Sequence, residues 1–289
     1  MDDQKRGIIY AFLVVLLWAS FGTSIKLLVS RVDSFVATVY IGLFATITIL
    51  IYLAITRKIK AAIKELKKQP WFYIIAGIIG LGIQQVIYLK SYQLLPASQV
   101  VMLFYLYPLL MVVLSAVILK EKTSWKSWLF LLIGFAGVYI LVSKGALIIP
   151  EISLGVITTL IAAFSWALFS VLIKSRKFDA AIGMFWFNLF GLLFLIALMP
   201  FLGFDYRLTL PEIGGIIYLA ILPTALGFIL WNRALQLTRT SICSNIALLM
   251  PPMSVVIIFL VLKEQIVAFQ LVGLALILGS VFLTLNYGK

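Results

Sequence analysis

Apolar residues in this chain fall in long blocks, not in stripes. No Asp, Glu, Lys or Arg occurs from Ser34 to Thr56 or from Ala180 to Phe204, so the one-sided 3.6-residue pattern of a half-wet helix is missing. A helix that is apolar all round and about 20 residues long is matched to the roughly 30 Å of hydrocarbon in a bilayer. Ten blocks of this kind lie at about 7–29, 34–56, 71–92, 97–119, 125–143, 153–174, 180–202, 212–236, 240–262 and 265–286. They predict an all-α integral membrane protein with ten transmembrane helices.

The first block is written twice. Gly7, Ile9, Trp18, Ala19, Phe21, Ile25 and Lys26 return 148 residues later as Gly155, Ile157, Trp166, Ala167, Phe169, Ile173 and Lys174. Further along the offset shrinks to 143: Lys90, Gln93, Ser98, Pro108, Val113, Leu119, Lys120 and Glu121 match Arg233, Gln236, Ser241, Pro251, Val256, Leu262, Lys263 and Glu264. The chain therefore divides into 1–145 and 146–289, joined through the stretch from Lys144 to Ser153 with its Gly145 and Pro150. Each unit holds five spans, an odd number, so the second must enter the membrane from the opposite side. Paired, inverted units in a hydrophobic chain are the arrangement of transporters, whose two halves face one another across a path.

Charge supports the same topology. With the N-terminus in the cytoplasm, 17 of the 23 Lys and Arg residues fall on the cytoplasmic side, as basic residues should. The C-terminus is then cytoplasmic too, and the membrane is the cell's inner or plasma membrane. The stretch from Arg57 to Lys68 carries six basic residues, and Ile59, Ile63 and Leu66 give it an apolar edge; it reads as a short amphipathic surface helix or a solvated loop. Lys5 and Arg6 before an apolar run resemble a signal peptide, but the run is too long and no small-residue cleavage site follows.

Composition narrows the class without changing it. Of the 289 residues 64% are hydrophobic and 11% charged, and mean hydropathy is +1.17, more apolar surface than a water-soluble globule can hide. The net charge of +13 is spread between spans and forms no basic, aromatic-interleaved face for nucleic acid. Cys243 is the single cysteine and can form no internal disulfide.

The Trp-Ala start of each unit and the run from Leu94 through Pro108 to Leu119-Lys120-Glu121, repeated from Leu237 through Pro251 to Leu262-Lys263-Glu264, resemble the drug/metabolite transporter superfamily in its ten-helix EamA branch. The likeness covers nearly the whole chain and departs at Pro252, where the first unit has Leu109. It implies two inverted five-helix repeats, a central cavity lined mainly by helices 1, 3, 4, 6, 8 and 9, and movement of small metabolites, among which amino acids are frequent.

Polar groups inside spans are the pointers to a path, because hydrocarbon penalises them unless they face a partner or water. Gln84 and Gln85 sit near mid-span about 100° apart, so at most one faces a cavity directly, with Tyr88 one turn away. Trp18 and Trp166 lie too deep for an interfacial belt and read as a cavity wall or as helix packing. Pro108 and the pair Pro251 and Pro252 each remove an N–H at mid-span and predict kinks that permit rocking or simply shape the cavity. Tyr105, Tyr107, Ser244, Asn245 and Met250 flank them. Asn188 is assigned a structural hydrogen bond. Ser20, Ser165 and Ser170 read as serines bonded to their own helices, and Glu121 and Glu264 as caps or partners of lysine. Lys90 and Arg233, each about 12 Å from mid-span by helical rise, either snorkel to the interface or attract an anion at the two mouths.

All ten acids lie outside or at the ends of spans, and there is no histidine. A mid-membrane proton relay, a general base and a metal site are therefore not expected, nor is any cofactor. The expected protein is a carrier of small metabolites, amino acids foremost, with export as the direction, binding through neutral groups and alternating access. An organic-anion or sugar-phosphate carrier using Lys90 and Arg233 is the alternative, and a non-transporting scaffold a more distant one. Its expected partners are a small-molecule substrate and the bilayer; the residues leave open whether two copies pair.

Overall fold

Residues 2–95, 97–143, 145, 151–204, 207–253 and 268–287 are described by the computed structural model. Lys144, Pro150, Asp205, Lys263, Glu264, Lys289 and the expected ninth span beyond Met253 lie outside them. The apolar blocks form helices and, among the described residues, no strand. In chain order they are α1 (Asp3–Trp18), α2 (Phe21–Val29), α3 (Ser34–Ile55), α4 (Ile59–Lys68), α5 (Pro70–Gly77), a π-helix (Ile78–Ile83), α6 (Gln84–Leu94), α7 (Ala97–Phe104), α8 (Tyr107–Ile118) and α9 (Trp125–Ser143). They continue with α10 (Leu154–Lys174), α11 (Ala180–Leu202), α12 (Leu210–Leu219), a second π-helix (Ala220–Leu226), α13 (Gly227–Leu237), α14 (Thr240–Ala247) and α15 (Ala268–Tyr287).

Among the described residues eight helical segments are long and apolar enough to cross a membrane, from Asp3–Val29 to Leu210–Leu237, and Leu271–Tyr287 is a shorter apolar helix. Large apolar side chains such as Leu16, Ile55, Val117 and Phe282 face outward, which suits a lipid solvent. Trp71 and Trp125 stand exposed at the first turns of α5 and α9, where amphipathic rings sit at a membrane surface.

In lipid, helices gain nothing by hiding leucine from leucine, so close backbone approach must supply packing. α9 and α15 meet this way. A Cβ on Gly137 would lie 2.8 Å from the Gly273 carbonyl oxygen, and one on Gly273 would lie 2.6 Å from that of Gly137. Elsewhere the two halves of the chain exchange partners. The start of α1 at Gly7 touches Leu237 and Thr238 at the end of α13, and the start of α10 at Gly155 touches Leu94 and Leu95 at the end of α6. These four contact points correspond under the sequence offsets of 148 and 143.

Two lysines mark opposite ends of this bundle. Lys26 Nζ donates to the Tyr92 carbonyl at 2.8 Å, beside the start of α10, where Ser91 Oγ donates to Thr158 Oγ1 at 3.0 Å. Lys174, 16 residues beyond Thr158 and so about 24 Å away along the helix, donates to the Thr238 carbonyl. Each cation thus serves carbonyls left free near a helix C-terminus.

Aspartates start α3 and α11. Asp33 accepts from the Phe35 and Val36 N–H groups, and Asp179 from those of Ala181 and Ile182 at 2.9 and 3.2 Å, as an N-cap carboxylate should. Asp179 also holds Lys58 at 2.6 Å. That pair, with the bond from Trp186 Nε1 to the Ala62 carbonyl at 3.0 Å, ties α4 to α11. Ile59 and Ile63 of α4 remain exposed, so the basic stretch is a helix with an apolar edge.

Burial raises the Asp179 carboxyl, but the Lys58 ammonium and the Ile182 and Ala181 N–H groups outweigh it, and its pKa lies below the ordinary carboxylate value. The stabilisation is therefore complete above the unfolded carboxyl pKa of about 3.9 and is lost as pH falls through the lower folded value. The thermal midpoint of the purified protein should fall at acidic pH, and Asp179→Asn should flatten that fall while lowering the midpoint at pH 7. Melting curves of both proteins across pH check this.

Candidate functional site

Four aromatic rings from both halves of the chain meet at the centre. Trp18, the last residue of α1, lies 5.5 Å from Trp166 of α10 and 5.6 Å from both Phe228 and Trp231 of α13, measured between ring centroids. Trp166 lies 5.2 Å from Phe228. The two tryptophans read from the duplication are therefore packed edge-on against each other. Trp166 is buried and Trp18 partly so.

Their polar edges are used. Trp18 Nε1 donates to the carbonyl of Pro223 at 2.8 Å, and Trp231 Nε1 donates to Ser170 Oγ at 3.1 Å. Pro223 lies inside the second π-helix, where widening to i→i+5 bonding disturbs the regular ladder. The first π-helix, Ile78–Ile83, sits 143 residues earlier, at the corresponding place in the third span. Sequence reading missed both; Gly77, Gly80 and Gly82 in one span and Pro223 in the other are the signal that was there.

The fourth span, and the helix that begins at Thr240, are interrupted too, but not at their prolines. The regular helix ends before Tyr105 and Leu106 and restarts at Tyr107, so Pro108 occupies the first turn of α8. Leu248 and Leu249, 143 residues on, separate α14 in the same way from the helical residues 250–253, which hold Pro251 and Pro252. The expected mid-helix kinks are corrected accordingly: proline is tolerated in a first turn, where its missing N–H has no intrahelical role. Span 1 is also broken, at Ala19 and Ser20, whereas its counterpart α10 runs without a break.

Gln84 and Gln85 point apart. Gln84 is buried, and its Oε1 has no partner. Gln85 lines a small cavity, with enclosed room for about one water, together with Phe21, Thr38, Ile41, Gly42, Leu81, Leu89, Asn188 and Thr224. This cavity lies between α3, α6, α11 and both π-helices; Leu81 and Thr224 are corresponding residues of the two. Asn188 makes the expected structural bond, from Nδ2 to the Met184 carbonyl at 2.8 Å, and also reaches the cavity. Thr38 and Thr224 were not singled out from sequence; a threonine in an apolar span gives a weak signal, since its hydroxyl can bond its own helix.

The remaining candidates lie in separate places. Tyr88 is buried against Phe104 at 4.2 Å and shares a hydroxyl contact of 3.1 Å with Tyr92; Phe21 stacks on it at 6.5 Å. Tyr105 and Tyr107 are buried 5.8 Å apart, and the Tyr107 hydroxyl has no partner. Asn245 donates to the Ser241 carbonyl at 3.2 Å and keeps an unpartnered Oδ1. Met250, Pro108, Pro251 and Pro252 are buried. Lys90 is exposed, with Nζ 3.0 Å from Gln93 Oε1, and Arg233 is half-buried; neither lines the cavity. Ser20 meets the Tyr218 hydroxyl as well as its own helix.

At the Lys174 end, charges join the halves. Glu121, just after α8, accepts from Thr240 N at 3.1 Å and Thr240 Oγ1 at 2.7 Å, and lies 3.7 Å from Lys174 Nζ. One carboxylate thus caps α14 and binds the end of α10.

A helical bundle of membrane-crossing length, with neutral polar groups turned inward, is a multi-pass membrane protein of the solute-carrier kind. The EamA-like transporter family model matches residues 5–143 and again 153–286. The chain belongs to that family, within the drug/metabolite transporter superfamily, and its members are transporters, not enzymes. It is 34% identical over 158 residues to an uncharacterised transporter of Acidianus ambivalens, a match that spans 54% of this chain and 61% of that one. It is 26% identical over 216 residues to a probable terminal-alkyne amino-acid exporter of Streptantibioticus cattleyicolor, covering 72% and 71% of the two chains. A solved crystal structure, 21% identical, superimposes with a TM-score of 0.81 over 98% of this chain and 97% of the other; it shares the fold.

The Trp18 contact has little room to adjust. A Cβ on Gly227 would stand 2.5 Å from Trp18 Nε1, so Gly227→Ala should displace the indole from Pro223 and lower stability by about 1–3 kcal/mol. Trp18→Phe, which loses the N–H and also shrinks the ring that packs on Trp166, Phe228 and Trp231, should cost about 2–4 kcal/mol. Thermal denaturation in detergent measures both.

Proposed function

We propose that the protein carries small metabolites, amino acids foremost, out of the cell by alternating access between two inverted five-helix repeats, in a ten-helix chain with both termini in the cytoplasm of the inner or plasma membrane. The observation that carries this reading is the matched set of helix interruptions. π-Helices in spans 3 and 8, and turns before the prolines in spans 4 and 9, recur at an offset of 143. Interrupted helices lining a midplane site let one unit rock against another, and the exchange of partners at Gly7 and Gly155 fits units related by a two-fold axis in the membrane plane.

The substrate class follows from what the interior offers. Amide and hydroxyl groups of Gln84, Gln85, Asn188, Thr224 and Asn245 are turned inward, and the acids stay at the ends of spans. Such a site suits a solute whose buried part is uncharged. The Streptantibioticus relative's name, an amino-acid exporter, supports the choice. Lys90 and Arg233 stand away from the cavity, so nothing favours an anion carrier.

Counterflow in proteoliposomes tests the reading. Labelled neutral amino acids should accumulate against an internal unlabelled pool, while sugars, nucleosides and cationic dyes should not. Neutralising Lys90 and Arg233 together should leave that exchange within about twofold, as expected for charges that do not line the cavity. A carrier that exchanges only anions, and stops when both are neutralised, would overturn it.

A further inference from the structure

α4 is held at the edge of the bilayer by both its ends. Thr56, Arg57 and Lys58 separate it from α3, and Gln69 alone separates it from α5. Both neighbours belong to segments of membrane-crossing length, so α4 lies where the hydrocarbon stops and the headgroups begin. At about 100° per residue its side chains sort into strips. Ala62 is buried and Lys58 and Leu66 are half-buried against the bundle. Ile59 and Ile63 come next around the helix, both exposed. Lys67 and Lys60 follow, about 40° and 60° beyond Ile63, and then Lys64 and Lys68, all exposed. An apolar strip thus runs directly beside a basic one.

The carboxylates that touch α4 are already taken. Asp179 holds Lys58, while Glu65 holds Lys68 at 2.8 Å and accepts from Gln69 at 3.3 Å. Lys60, Lys64 and Lys67 make no ion pair among the described residues. Arg176 and Lys177, just before Asp179, add two more exposed cations on the same side, Arg176 lying 5.7 Å over the Phe72 ring. We infer that α4 is a binding surface for anionic phospholipid. Ile59 and Ile63 rest on the acyl chains, Lys60 and Lys67 meet the headgroup phosphate, and Lys64 carries the positive field outward, the posture of a basic amphipathic helix on an anionic leaflet. Nucleic acid or free phosphate would use the lysines but leave the isoleucine edge unmatched. Because the Lys58–Asp179 pair and the Trp186 bond to Ala62 clamp α4 to α11, a lipid held here braces that span as well. The inference rests on the chain's place in a bilayer and is independent of what it carries.

Native mass spectrometry of the purified full chain in detergent, titrated with phosphatidylglycerol or with phosphatidylcholine, tests this. The first phosphatidylglycerol should bind at least about 10-fold more tightly than the first phosphatidylcholine, since each lysine near an anionic surface contributes about fivefold. Lys60→Gln with Lys67→Gln should bring that preference down to within about threefold. Ile59→Ser with Ile63→Ser keeps every lysine and should weaken phosphatidylglycerol about fivefold or more, through lost apolar contact. Lys5→Gln with Arg6→Gln removes the same charge from the first turn of α1 and should leave the first affinity within about twofold, as expected of charges outside the site. All these positions are exposed, and either α4 variant decides the matter if the other fails to fold. Equal affinity for the two lipids, or a preference unmoved by the lysine change, overturns the inference. So does an equal fall in the α1 variant, which would mark plain net charge. Binding that survives the isoleucine change and yields to millimolar inorganic phosphate would mark a free-anion site and overturn it too.

Discussion

Backbone amides in hydrocarbon have no water to turn to, and every irregularity in this protein is shaped by that fact. A broken helix is stable at membrane depth only where a neighbour takes over the group it frees. The Pro223 carbonyl is taken by the Trp18 indole, a residue 205 positions away. The carbonyls of Tyr92 and Thr238, near helix ends, are taken by Lys26 and Lys174. Each of these bonds reaches a carbonyl near a helix end or inside a π-helix, so the places where the helical ladder is broken are also places where the bundle is held together.

The interior is therefore polar without being ionic. Ion pairs such as Lys58 with Asp179 and Lys174 with Glu121 sit at helix ends, where water lowers the cost of charge. Hydroxyls and amides occupy the depths, several of them, including Asn232 and Ser244, without a protein partner. Leaving such groups bare costs roughly 1–3 kcal/mol each, a standing penalty that the packing of the surrounding helices must offset.

Much of the architecture was legible from composition alone, since uncharged runs of membrane length have one stable form in lipid. The duplication was legible because Trp18, Pro108 and Glu121 recur at steady offsets. Helix register was not. The π-helices depend on how Gly80 and Pro223 meet facing helices, information held by the neighbours and not by the local run. The prolines illustrate the same limit: Pro108 announced an interruption, but its place, at Tyr105 and Leu106, follows from proline's preference for a first turn. The site divided likewise. Trp18 and Trp166 could be paired from the repeat, while Thr38 and Thr224 became visible only once four helices had closed around them.

The crossing of α9 and α15 is mechanically stiff. At Gly137 and Gly273 each main chain rests on the carbonyl oxygen of the other, with no side chain between to act as a bearing. Sliding there would drive backbone into backbone, so the two rods travel as a clasped pair. Bending of one rod therefore carries the other with it, and the clasp serves the molecule as its spine.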